Sequence, residues 1–196
     1  MSRSPLTEVG HETGGVHAPG SPERRSRRQA RNDLGGTVTY MPSVIAGKAI
    51  RTGQLETAVA PHDHQHVLGQ AHLCGPAEVS QAIDAALTAA HDWSRTTWEE
   101  RAAVFLRAAD LLAGPWRARL NAATMLGQSK AAHQAEIDSA AALIDFSRFN
   151  CEFMLRIYGH QTLTSTALWN RGAYRHLGAV ALTRWPSTFT SIPRNW

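Results

Sequence analysis

Residues 131–158 most limit the folds open to this chain. They carry a helical period that ends at Gly159, a residue type suited to the C′ position. The second half of the run is apolar nearly all round, through Leu143, Ile144, Phe146, Phe149, Phe153, Met154 and Leu155. A helix of that kind must be covered by other structure. The spacing therefore predicts a helix inside a packed domain.

Three more helices are expected before it. Pro76 suits position N1 of the first, and Val79, Ile83, Ala86, Leu87 and Ala90 form one apolar stripe. The second begins near Thr96 or Thr97. Thr96 with Glu99, and Thr97 with Glu100, both fit a capping box, in which each partner satisfies an orphan N–H. Val104, Phe105, Ala108, Leu111 and Leu112 form its buried face, and Gly114-Pro115 ends it. The third covers residues 116–127.

The flanks read differently. Residues 37–75 hold short β-prone runs (37–40, 43–45 and 66–68) broken by Gly47, Gly53 and Pro61. Residues 161–168 and 174–182 are strand-like again. Residues 1–36 are rich in Gly, Pro, Ser and Arg, lack an apolar period, and read as a flexible basic arm. There is no internal repeat.

The length of 196 residues fits about one domain of roughly 150 residues, or slightly more. Hydrophobic residues are 43% and charged residues 18%, a composition that excludes wholesale disorder. No run approaches the roughly 18–20 apolar residues of a membrane span, and the N-terminus has no hydrophobic secretory core. Cys74 and Cys151 lie far apart without metal or redox spacing. That pattern excludes a disulfide scaffold and fits a reducing, cytoplasmic setting.

The net charge is +4, and most of the surplus lies before residue 33. Arg24, Arg25, Arg27 and Arg28 could meet phosphates. No aromatic residue is interleaved to stack on bases, so nucleic acid is not an expected partner. A solvated arm over a partner surface is the favoured reading.

Candidate chemistry is sparse. In an extended segment His62, His64 and His66 point the same way, and three imidazoles could hold zinc. No fourth ligand is placed, and a polar turn before a strand explains the run equally well, so no metal is assigned. Gly127-Gln128-Ser129-Lys130 resembles part of a phosphate loop, but the earlier glycine is missing and the serine precedes the lysine. Cys151 sits mid-helix among aromatics, which favours inert packing. Glu136 and Asp138 would diverge on a helix, while Asp145 and Arg148 could pair on one face. These residues alone describe a four-helix segment flanked by strands, with no complete active site.

One long run carries a resemblance. Thr124-Met125-Leu126-Gly127-Gln128-Ser129-Lys130, then Gln134-Ala135-Glu136-Ile137-Asp138, then Leu143-Ile144-Asp145-Phe146-Ser147-Arg148-Phe149-Asn150, resembles the N-terminal third of the Δ1-pyrroline-5-carboxylate (L-glutamate γ-semialdehyde) dehydrogenases, within the aldehyde dehydrogenase superfamily. The similarity extends over roughly residues 15–185. It takes in Ala18-Pro19-Gly20-Ser21-Pro22-Glu23-Arg24, the helices around residues 82–93 and 101–115, and Trp169-Asn170-Arg171.

The resemblance implies an α/β fold: the N-terminal portion of the aldehyde dehydrogenase fold, with an incomplete Rossmann-like domain. It implies oxidation of glutamate semialdehyde to glutamate with NAD, the second step of proline catabolism. It also implies oligomerisation, with itself or a relative, through strands in residues 160–185, chiefly 160–182. In that family a cysteine thiolate attacks the aldehyde and a glutamate activates water. Neither residue, nor the nucleotide-binding region, has a counterpart here, so no catalytic or cofactor-binding residue is assigned. Residues 186–196 form a divergent tail. Thr188 stands where the family has its oxyanion asparagine, and Phe189, which still matches, is the one expected substrate contact. Ala142 stands where the family has a glutamate near the substrate's amino group. The expectation is a truncated family member, inactive alone. The alternative is a non-catalytic fragment that binds a full-length aldehyde dehydrogenase.

Overall fold

The computed structural model describes residues 9–175 and residue 180. Helix α1 (Pro22–Gly35) starts at Ser21, whose hydroxyl oxygen accepts the Arg24 N–H at 3.2 Å, with proline in the first turn. It packs against α4 (Arg117–Gln128). The flexible arm expected over residues 1–36 is thus corrected from residue 11 onward. The inward face of α1 is polar, with Arg27 its buried residue, so no apolar period announced it.

Five strands follow: β1 (Thr39–Met41), β2 (Ser43–Ile45), β3 (Lys48–Ile50), β4 (Leu55–Ala60) and β5 (Asp63–His72). One sheet has the order β1-β5-β4. β5 is antiparallel to β4 and parallel to β1, with Thr39 opposite Gly69. β2 and β3 form a separate hairpin across Ala46 and Gly47, at φ 49° and 74°. Two positive φ values match the strand twist, as in a type I′ turn.

Helix α2 (Pro76–Arg95) runs as expected but buries no residue. Its stripe residues Val79, Ile83 and Leu87 stay largely exposed. Thr96 caps the end of α2, so only the Thr97–Glu100 box forms. Thr97 Oγ1 accepts the Glu100 N–H at 3.2 Å, and the Glu100 carboxylate accepts the Thr97 N–H at 3.0 Å. Helix α3 (Trp98–Ala113) packs against α6 (Ala142–Gly159). Its buried residues are Ala102 and Ala109, while Val104 and Phe105, expected inside, are exposed.

The single helix expected over residues 131–158 is interrupted. α5 (Ala132–Ala135) leads into a π-helix (Glu136–Ala141), which leads into α6. A π turn admits one extra residue and shifts the faces on either side of it. Leu143, Ile144 and Cys151 of α6 are buried, whereas Phe153 remains 48% exposed.

Strands were expected over residues 160–185. The described residues of that segment show one isolated bridge, Ser165 to Leu168, and no strand. Alternation makes a strand only beside a partner edge, and among the described residues none lies there. Most of 174–182, with Thr188 and Phe189, lies outside the described residues. Among the described residues no helix is long and apolar enough to cross a membrane.

Candidate functional site

The densest polar chemistry surrounds Glu136, which opens the π-helix and is 2% exposed. Both its oxygens are saturated. Oε1 accepts from the Gly15 N–H at 2.8 Å, from Arg117 Nε at 2.8 Å and from Arg117 Nη2 at 2.5 Å. Oε2 accepts from the Asn121 amide and meets His17 Nε2 at 3.1 Å. Asn121, also buried, accepts in turn from the Ser139 hydroxyl at 2.8 Å. Arg117 and Asn121 lie four apart on α4 and so present one face to Glu136.

Residues 11–17 close the arrangement as a strap. The Glu12 carboxylate bridges Arg117 Nη1 and Arg148 Nη1, each at 2.6 Å. Asp145 takes the Glu12 N–H at 2.6 Å and His11 Nδ1 at 2.9 Å. The expected Asp145–Arg148 pair therefore does not form. Each residue meets the strap, and Arg148 also lies 3.9 Å from Asp110.

Burial pushes the Glu136 carboxyl up, but the Gly15 N–H and the Arg117 guanidinium outweigh it and hold the pKa below the usual range. Glu12 shows the same balance, with Arg117 and Arg148 overriding burial. For Arg117, burial lowers the pKa, and the bonds from Glu136 and Glu12 more than reverse it. A carboxylate with every lone pair engaged and a depressed pKa cannot take a proton near neutrality. The cluster is a fastening that ties the strap to α4 and α6, not an acid–base pair.

The other candidates are dispersed. Glu136 and Asp138 diverge as expected, and Asp138 meets Lys130 Nζ at 2.6 Å. His62 Nδ1 lies 2.7 Å from Ser129 Oγ, while His66 Nε2 donates to the Gly35 carbonyl at 2.7 Å. Among the described residues no group of three acids, cysteines or histidines is arranged to hold a metal. Cys151 is buried, its thiol pushed up by desolvation, 3.7 Å from the Ala102 carbonyl. Cys74 is exposed, with its thiol 2.9 Å from Ser43 Oγ. At the junction of β5 and α2 the Glu78 carboxylate accepts the Gly75 N–H at 2.8 Å.

Sequence reasoning singled out Glu136 but missed Glu12, His17, Arg117 and Asn121. The only available signal was the i, i+4 spacing of Arg117 and Asn121.

The model of the aldehyde dehydrogenase family matches residues 50–183. The Delta-1-pyrroline-5-carboxylate dehydrogenase of Agaricus bisporus is 40% identical over 181 residues, covering 91% of this chain and 33% of that protein. The crystal structure of the Mycobacterium tuberculosis Delta-pyrroline-5-carboxylate dehydrogenase is 42% identical with a TM-score of 0.86, covering 90% of this chain and 33% of that one. The same enzyme bound with NAD superposes with a TM-score of 0.85 over 89% of this chain and 33% of its own length, again at 42% identity. The chain thus spans about a third of the length of the relatives it matches.

Proposed function

The chain belongs to the aldehyde dehydrogenase family, and from that premise we propose that it is the N-terminal scaffold of an NAD-linked glutamate semialdehyde (1-pyrroline-5-carboxylate) dehydrogenase. The observation that carries this reading is the shared backbone at 42% identity over nine-tenths of the chain. The reaction is oxidation of an aldehyde to a carboxylate, with NAD⁺ accepting hydride and water supplying the second oxygen.

The chain's own contribution is structural. Saturated Glu136 and the strap hold α4, the π-helix and α6 in a fixed relation. Neither cysteine is set up as a nucleophile: Cys151 is buried with a raised pKa, and Cys74 faces a serine rather than a base. The 196 residues alone are therefore inactive. In the complete enzyme Phe189 would contact the substrate, and Ala142 supplies no carboxylate to an ammonium group. Two unpaired cysteines support residence in the cytoplasm.

The test is NADH formation by the purified chain with glutamate semialdehyde and NAD⁺, beside the M. tuberculosis enzyme as control. The expected result is turnover by the control alone. Turnover by the chain would overturn its scaffold role.

A second reading rests on the segment after α6. Leu163 is 93% exposed and Trp169 76%, and each large apolar side chain left in water forgoes about 1.5–3 kcal/mol of burial. Residues 160–182 would then bind a second copy or a full-length relative. Co-purification with the control enzyme supports this, and a monomer that ignores it refutes it.

A further inference from the structure

We propose that residues 11–17 are an exchangeable strap: the faces of α4, the π-helix and α6 that they cover form a docking site for the same segment of a second copy of this chain. The segment is held in the manner of a bound peptide. Its polar bonds to the helices, 2.6–3.1 Å long, cross 104 to 136 positions of sequence. None of its residues is buried, and its one large apolar side chain, Val16, is 67% exposed. Release therefore bares little apolar surface, and such elements open well before the whole molecule unfolds.

The covered faces keep their own pairs without the strap. Glu136 retains both Arg117 donors on Oε1 and the Asn121 amide on Oε2. Asn121 retains the Ser139 hydroxyl. Arg148 still has Asp110 at 3.9 Å, and Asp145, whose side chain is 20% exposed, can meet water.

The pattern of charge selects the occupant. Asp145 takes the Glu12 N–H and meets the His11 ring. Next to it Arg117 and Arg148 grip the Glu12 carboxylate, one on each oxygen. Beyond them Glu136 takes the Gly15 N–H and meets His17. The order is donor, carboxylate, donor. The two arginines are balanced by Glu136 and Asp145, so a free anion gains no net attraction there. A segment with carboxylate and donors in that order satisfies every group, and a second copy carries it by identity. Exchange between two copies restores each bond, which is the logic of domain swapping. Residues 18–21 are the hinge: the Ser21 N–H donates to the Ala18 carbonyl at 3.1 Å, around Gly20 at φ 84°. A glycine there lets the turn open without a side-chain penalty.

This site lies apart from residues 160–182 and does not depend on the dehydrogenase reading. The first test is fluorescence anisotropy of a labelled peptide of residues 9–19, titrated with the full 196-residue chain. In the parent the tethered strap competes at an effective concentration of roughly millimolar order, so the peptide binds weakly. The Glu12→Ala chain should bind it one to one and at least about tenfold more tightly, the worth of a charge-assisted bond. A peptide carrying Glu12→Gln should lose at least about tenfold on that same chain. Absence of saturation below about 1 mM, or equal binding of the two peptides, overturns the proposal. So does loss of cooperative melting in both the Glu12→Ala chain and the shape-keeping Glu12→Gln chain, because the helices must stand without the strap's carboxylate. The second test is native mass spectrometry of an equimolar mixture of Glu12→Arg and Arg148→Glu chains. Only the mixture joins an intact strap to an intact pair of arginines, so a heterodimer should exceed the dimer that either chain forms alone. A mixture no more dimeric than its parts overturns the exchange.

Discussion

Arg117 places two donors on one oxygen of Glu136, Nε at 2.8 Å and Nη2 at 2.5 Å, inside a cluster where Glu136 is 2% exposed. The same guanidinium also reaches Glu12 and the Thr13 carbonyl. One side chain therefore joins α4, the π-helix and the N-terminal strap.

Removing the acid should be severe. Glu136→Ala leaves the Arg117 charge in a largely buried site without its main partner, and breaking a buried pair costs about 3–5 kcal/mol. Chemical denaturation should show a loss of that order. Glu136→Gln keeps the shape and should lose less. A loss below about 1 kcal/mol for the alanine variant, as at exposed ion pairs, would show that the cluster is not buried in solution.

Acid should open the strap before the helices. Glu12 and Glu136 have folded pKa values held below their unfolded values. Their stabilisation is complete above the unfolded carboxylate range, near about 4.3, and drains away as pH falls toward the folded values. Hydrogen exchange at the Glu12 and Gly15 amides should accelerate in that window. Amides within α3, which contact neither carboxylate, should hold to lower pH. Simultaneous opening of both sets would refute the order.

The two thiols should separate chemically. A neutral alkylating reagent should modify exposed Cys74 in the native chain and reach Cys151 only after unfolding, because Cys151 is buried and its thiolate disfavoured. Mass spectrometry reads the count. Rapid double modification of folded protein would contradict the packing of α3 on α6.

Gly69→Ala tests the sheet. An added Cβ would lie 2.6 Å from the Thr39 carbonyl oxygen and 2.8 Å from Met41 Cε. The parallel β1–β5 pairing would have to spread, at about 1–3 kcal/mol for overpacking. Gly127→Ala meets nothing within 4 Å and should leave the melting temperature unchanged or raise it.

Local chemistry was legible at the helix starts, though not for Asp145 and Arg148, which lie within one turn and still bond to the strap instead of each other. Thr97 and Glu100 cap each other across three residues, and Pro76 starts α2, because each interaction closes within the segment that encodes it. The family was legible for a related reason, since the run from Thr124 to Asn150 holds many specific positions in unbroken order. Composition also placed the chain among packed domains.

Tertiary structure decided the rest. Gly15 finds Glu136 across 121 residues, and Glu12 finds Arg148 across 136. No period or spacing encodes such pairings; they exist only once α4 and α6 bring their faces together. Helix α1 stayed hidden because its buried residue is an arginine, and a charged side chain reads as solvated until a second helix covers it. The π turn at Glu136 is of the same kind: a one-residue shift in hydrogen bonding leaves composition and apolar period almost untouched, and it is the packing around the buried carboxylate that reveals it.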